Sequence, residues 1–247
     1  MSGKADGGEK GGLSARTTAD APAASGKGEI DAFIDKALAM PARPAGAGRR
    51  GRLIFSMDAT MSRQPTWDRA QHLQGRMFEE TASLGGLDVQ LVFYRGYKEC
   101  KASRWVSDAA RLAALMSKVD CRGGYTQIGR VLAHALKEVA RAPVSALVHV
   151  GDACEEDIDA LAARAGELAM RGVPVFMFQE GADPDASRAF AEIARITGGA
   201  HCRFDEGAAE RLRELLSAVA VYATGGMAAL EKAGGEGARL LLERMRK

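Results

Sequence analysis

From residue 51 onward the chain alternates short apolar runs with longer amphipathic ones, and this alternation restricts the fold more than any other feature. Apolar, strand-like runs fall at 52–57, 87–94, 144–150, 173–178 and 200–204. Segments with apolar residues at helical spacing lie at 66–83, 108–118, 126–141, 155–171, 184–197 and 207–223. Strands separated by helices cannot pair as tight hairpins. The helix must cross a face of the sheet, so the neighbouring strands run parallel. "KECKASRWV" (98–106) differs, because it follows "LDVQLVFYRG" after a very short connection and suits an antiparallel edge hairpin. The expected fold is α/β: a Rossmann-like, doubly wound, mostly parallel sheet with one antiparallel edge strand and helices on both faces.

The flanks read differently. Residues 1–28 are Gly, Ala, Ser, Thr and Lys with almost nothing to bury, which predicts a disordered arm. Residues 29–50 begin with "EIDAFIDKALAM", whose Ile30, Phe33, Ile34, Ala37 and Leu38 share one helical face, and continue into the linker "PARPAGAGRRG". Packing on the following domain is the simpler role for that face. The domain proper is expected at 51–224. Residues 225–247 hold "GGMAALEKAGGEG" and a charged stub, a flexible or helical C-terminal tail.

Composition removes several function classes. A net charge of +2 gives no strong field, so it argues neither for nucleic acid nor for an anionic membrane. No apolar run approaches the roughly 18 residues that a membrane span needs, and the N-terminus lacks the apolar core of a secretory signal. Cys100, Cys121, Cys154 and Cys202 are scattered without a CxxC pair, which favours reduced thiols and a cytoplasmic protein. "GAGRRG" (46–51) precedes a strand, whereas a nucleotide-binding glycine motif follows one, so it is read as linker. No Walker A, HExxH or GxSxG motif is present.

The chemistry gathers at strand ends. In "RLIFSMDATMSR" an apolar run leads into Asp58, Thr60 and Ser62, at alternate positions. "CRGGYTQIG" carries Thr126 after Gly123 and Gly124, and "LVHVGDACEED" places Asp152 after another apolar strand. An open parallel sheet binds ligands beyond the carboxyl ends of its strands, where these three loops should meet. All five side chains are hard oxygen donors, which suits Mg²⁺ (or Mn²⁺) and disfavours Zn²⁺. Hydroxyl ligands add no charge, so a carboxylate from another molecule would make an attractive final ligand.

The set "DATMS", Thr126 and Asp152 resembles the metal-ion-dependent adhesion site (MIDAS) of von Willebrand factor type A (VWA) domains, over about residues 51–224. Two positions depart from that pattern: Thr60 stands where Ser is usual, and Tyr125 separates the glycine pair from Thr126. The resemblance implies that Thr60 and Ser62 ligate the ion directly, with Thr126 direct or water-bridged and Asp58 and Asp152 acting chiefly through water. It implies a non-catalytic, divalent-cation-dependent protein-binding module, of the bacterial intracellular type. The partner would offer an acidic side chain, and ring-shaped ATPases are one implied partner class.

A haloacid dehalogenase-like phosphatase or phosphotransferase is the rival, with Asp58 as nucleophile and "GDACEED" as its acidic motif. That chemistry usually places an acid two residues after the nucleophile and a Lys against phosphate. Thr60 occupies the acid's position. Asp157, with Glu155 and Glu156, has an easier role at the positive end of helix 155–171. His134, His149 and His201 fall within helix or strand and read as core, His72 as a helix surface, and Cys154 as an apolar filler.

Overall fold

The computed structural model describes residues 50–63, 86–204 and 209–246. The N-terminal arm, the helix and linker of 29–49, and the helix expected at 66–83 with His72 lie outside the described residues.

A single six-stranded sheet runs in the order β3-β2-β1-β4-β5-β6. Its strands are β1 (Gly51–Asp58), β2 (Leu87–Arg95), β3 (Glu99–Ala102), β4 (Ala146–Gly151), β5 (Val175–Glu180) and β6 (His201–Phe204). All neighbours pair in parallel except β2 with β3, the antiparallel edge expected from the short connection. Among the described residues six α-helices accompany them: α1 (Ala109–Met116), α2 (Ile128–Arg141), α3 (Ile158–Met170), α4 (Pro184–Thr197), α5 (Ala209–Ala233) and α6 (Glu236–Met245). The fold is the doubly wound α/β architecture that the alternation dictates.

The central strands are mostly apolar because both faces are covered. Side chains alternate across a strand, so each strand feeds two cores. Leu53, Phe55 and Met57 of β1 join Val148, Val150, Phe176 and Phe178 in one, beneath α1, α5 and α6. Ile54, Leu147, Val175 and Met177 face the other way, beneath α2, α3 and α4. Polar residues share this second face. Ser56 Oγ lies 3.3 Å from His149 Nδ1, and the His149 ring stacks on Tyr94 with centroids 5.8 Å apart. Among the described residues no helix is long and apolar enough to cross a membrane.

The segment after residue 224 is helical. Gly226, at φ 68°, ψ −164°, breaks the course of α5 in a conformation that only glycine adopts at low cost. Beyond it, α6 packs back on α5, and Leu230, Ala238 and Leu241 are buried in the first core. Replacing Leu241 with Ala is therefore expected to lower the unfolding free energy by about 2–5 kcal/mol. Urea denaturation checks this, and a change under about 0.5 kcal/mol would place Leu241 outside the cooperative core.

Candidate functional site

Strand order reverses at β1, which lies between β2 and β4. From the β1–β4 pair, β1 is followed by β2 on one side and β4 by β5 on the other, an order that puts the binding crevice of an open sheet beyond the carboxyl ends of β1 and β4. Asp58 is the last residue of β1, and Asp152 directly follows β4. Both line a cleft of about 210 Å³, together with Thr60, Met61, Ser62, Gly123, Gly124, Thr126, Ala153 and Glu155. The structure thus brings together all five residues singled out from the sequence.

Local and cross-strand contacts hold Asp58, Thr60, Ser62 and Thr126 in place. Asp58 is only 1% exposed. Its Oδ1 accepts the Thr60 N–H at 2.7 Å, and its Oδ2 accepts the Tyr94 hydroxyl at 3.1 Å. Tyr94 is its direct cross-strand neighbour on β2. Burial, then the Asp58 charge, pushes the Tyr94 phenol well above its ordinary pKa, so the hydroxyl remains a donor. After Ala59 the chain enters a 3-10 turn (Met61–Arg63), which brings Thr60 Oγ1 within 3.2 Å of Ser62 Oγ.

The glycine loop is laced to its neighbours by main-chain bonds. Arg122 N–H donates to Ala59 C=O at 3.0 Å, and Tyr125 N–H to Gly96 C=O at 3.2 Å. Gly124 is required here, because a Cβ would collide with the Gly96 backbone. Gly96 itself turns β2 into β3 at φ 59°. Thr126 stands two residues before α2 begins. Its N–H donates to Glu155 Oε2 at 3.0 Å, and its Oγ1 accepts the Glu155 N–H at the same distance.

Glu155 and Glu156 depart from the sequence expectation. They do not serve the helix that follows them; α3 starts at Ile158, capped by Asp157 Oδ1, which accepts the Ala160 N–H at 2.7 Å. Both glutamates instead reach across to the amino end of α2. Glu156 accepts the N–H groups of Ile128 and Gly129. The α2 cap position is Gln127, whose side chain makes no capping bond. A remote carboxylate therefore satisfies donors that α2 leaves open. Sequence reasoning missed this role and that of Tyr94; the only local signal was two acids more than one helix start requires.

The remaining candidates stay out of the site. His134 Nε2 lies 2.8 Å from Gln90 Oε1, and His201 Nε2 lies 3.0 Å from Gln179 Oε1. Cys154 is buried, and that burial raises its thiol pKa, as suits an apolar filler. A larger groove of about 410 Å³ between α3 and α4 holds charged side chains already paired along α4, such as Arg195 with Glu192.

The donor set fits a hard divalent cation. Adjacent ligands of an octahedral ion at about 2.0–2.1 Å stand about 3 Å apart, close to the Thr60–Ser62 separation of 3.2 Å. Among the described residues no three His, Cys, Asp or Glu side chains gather as a metal-holding group, so an ion at this rim would depend on the hydroxyls. Glu156→Ala is expected to lower stability by about 1–2 kcal/mol by uncapping α2. Chemical denaturation measures this, and an unchanged midpoint would remove the capping role.

No family model and no curated protein matches the sequence. Solved structures do match. A von Willebrand factor type A protein from Catenulispora acidiphila aligns with 70% of this chain and 43% of its own, less than half its length, at 16% identity and TM-score 0.56. The SpRpn10 VWA domain aligns over 68% of this chain and 93% of its own, at 13% identity and TM-score 0.50. Proximal thread matrix protein 1 from the mussel byssus, solved with a zinc-occupied MIDAS motif, aligns over 71% and 46%, at 15% identity and TM-score 0.50. Likeness at such identities concerns architecture. The chain has the von Willebrand factor type A fold.

Proposed function

We propose that this protein is a divalent-cation-dependent protein-binding module. In this reading Thr60, Ser62 and Thr126, with Asp58 and Asp152, hold Mg²⁺ or Mn²⁺. The observation that carries it is the convergence of these five oxygen side chains on one cleft at the strand-order reversal. A bound cation would neutralise the acidic cleft and offer a coordination position to an acidic side chain of the partner. The chain's own contribution is placement. Asp58 is oriented by Tyr94 and the Thr60 N–H, Thr126 by Glu155, and the hydroxyl pair by the 3-10 turn. The zinc-occupied motif in the mussel protein supports a divalent ion in this fold. Hydroxyl and carboxylate oxygens favour a harder ion here.

An adaptor role is the natural use of such a module, and a ring-shaped ATPase is one partner class the MIDAS resemblance implies. The scattered cysteines support a reducing, cytoplasmic setting. The phosphotransferase reading has less support. Both Asp58 oxygens accept hydrogen bonds, and among the described residues no Lys lines the cleft to balance phosphate.

Titration calorimetry with Mg²⁺, Mn²⁺ and Zn²⁺ tests the proposal. Binding of one Mg²⁺ or Mn²⁺ per chain is expected, weakened on the order of tenfold or more in Ser62→Ala and Thr126→Ala. Absence of binding at millimolar Mg²⁺ and Mn²⁺, or unchanged affinity in both variants, would refute it. Mg²⁺-dependent hydrolysis of a generic phosphomonoester, abolished by Asp58→Asn, would install the rival.

A further inference from the structure

Two tyrosines stand exposed beside the cleft. Tyr97 is 73% exposed in the β2–β3 turn, and Tyr125 is 57% exposed between the cleft residues Gly124 and Thr126. Their rings meet edge to face, with centroids 5.3 Å apart and an interplanar angle of 66°. Met61, 61% exposed, adds apolar surface from the β1 side of the cleft. A lone exposed aromatic needs no explanation, but clustered apolar side chains around a polar cleft mark an interaction surface.

The tyrosines are also mounted rigidly. Tyr125 N–H donates to Gly96 C=O, and Gln127 Nε2 donates to the carbonyls of Arg95 and Gly96 at 3.1 and 3.2 Å. Arg95 in turn bonds Glu99 and both the side chain and main chain of Asp120. The turn and the glycine loop therefore form one unit, and little backbone freedom remains to be lost when a partner covers the rings. Rigid, amphipathic rings of this kind dominate protein interfaces.

Charge indicates what the partner carries. Arg95, Lys101 and Arg122 pair with Glu99 and Asp120. Lys98, adjacent to Tyr97, and Arg130, whose guanidinium donates to Lys98 C=O at 3.0 Å, make no ion pair with any described residue. Positive charge thus lies beside the aromatic pair.

We infer that Tyr97, Tyr125 and Met61, flanked by Lys98 and Arg130, select the partner: a protein loop with an aromatic or aliphatic residue beside the acidic residue that enters the cleft, and further acidic residues toward Lys98. The inference rests on the metal-dependent reading above and adds the partner's chemistry to it. Single-stranded nucleic acid would also use aromatic and basic groups. The edge-to-face pair, however, offers no continuous stack for bases.

The test selects random short peptides displayed on phage against the full chain in Mn²⁺. Enriched peptides are expected to combine Asp or Glu with a neighbouring aromatic or aliphatic residue. They should lose binding in EDTA and bind Tyr97→Ser/Tyr125→Ser about tenfold or more weakly. That double variant keeps its Mn²⁺ affinity in calorimetry, because neither ring lines the cleft, and Lys98→Glu weakens the more acidic peptides further. Peptides that need Mn²⁺ but bind the double variant equally well would overturn the docking surface and spare the metal site. Peptides that need the tyrosines but ignore EDTA would overturn the metal-dependent reading and leave a simpler aromatic site. No enrichment, tyrosine-dependent dimerisation of the chain alone, or tyrosine-dependent binding of a labelled single-stranded oligonucleotide would each overturn the inferred partner.

Discussion

A carboxylate almost sealed from solvent at the end of a central strand is the constraint on which the rest of this structure depends. Asp58 is 1% exposed, and a charge so placed is expensive unless donors surround it. The Tyr94 hydroxyl and the Thr60 N–H supply them. Tyr94 reaches Asp58 only because parallel pairing of β1 and β2 sets the two residues side by side. The Thr60 N–H reaches it only because the chain folds back at once into a 3-10 turn. A one-residue slip in β1 would send Asp58 to the opposite, wholly apolar face. Satisfying this one group therefore fixes the register of the central strand and the direction in which Thr60 and Ser62 leave it.

The second half of the cleft is held by a different balance. The amino end of α2 presents N–H groups that its own sequence does not cap, and Glu155 and Glu156 supply the missing acceptors from beyond β4. The return bond, from Glu155 N–H to Thr126 Oγ1, closes a reciprocal pair resembling a capping box assembled from two distant segments. Its geometric consequence falls on Thr126. The hydroxyl is fixed in direction, yet among the described residues it accepts a single hydrogen bond and retains a further lone pair. The loop after β4 and the loop before α2 are thereby locked together, so Asp152 and Thr126 share one rigid support.

Most of the architecture was legible because it follows from periodicity. A doubly covered strand must be apolar on both faces, and a crossover helix must be amphipathic. The alternation of such segments from residue 51 leaves one plausible class of sheet. The antiparallel edge was legible from the short connection before β3. The five cleft residues were legible because Asp58, Thr60, Ser62 and Asp152 lie at or just beyond strand ends, and Thr126 follows a glycine pair in a loop that opens a helix. What escaped were partnerships across the sequence. Tyr94 looked like one more apolar strand residue, and its hydroxyl acquires meaning only through the register with Asp58. Glu155 and Glu156 looked like first-turn acids of α3, because local helix-dipole reasoning cannot see that a second helix end lies within reach. The packing of Leu230 and Leu241 was hidden by glycines at 225, 226, 234 and 235, which read as tail but allow α5 to break its course and α6 to fold back.

The same contacts explain why the surface of this protein is asymmetric around the cleft. Asp58 holds the Thr60 main chain, Glu155 accepts the Thr126 N–H, and together with Asp152 they put three carboxylates on the cleft lining. The β2–β3 turn stands on the other side of the glycine loop, and its close approach through Gly96 and Gly124 is possible only with side chains absent from the contact. That close approach also brings the following residues of each loop, Tyr97 and Tyr125, together in solvent, with Lys98 next to Tyr97. The acidic cleft and the basic aromatic margin are thus two outcomes of one packing problem. An acidic partner approaching alone would be attracted to the margin and repelled from the cleft; only a cation in the cleft would make both attractive to the same ligand. Under the proposed cation reading, charge placement of this kind would make occupancy of the cleft a switch for binding without requiring any movement of the fold.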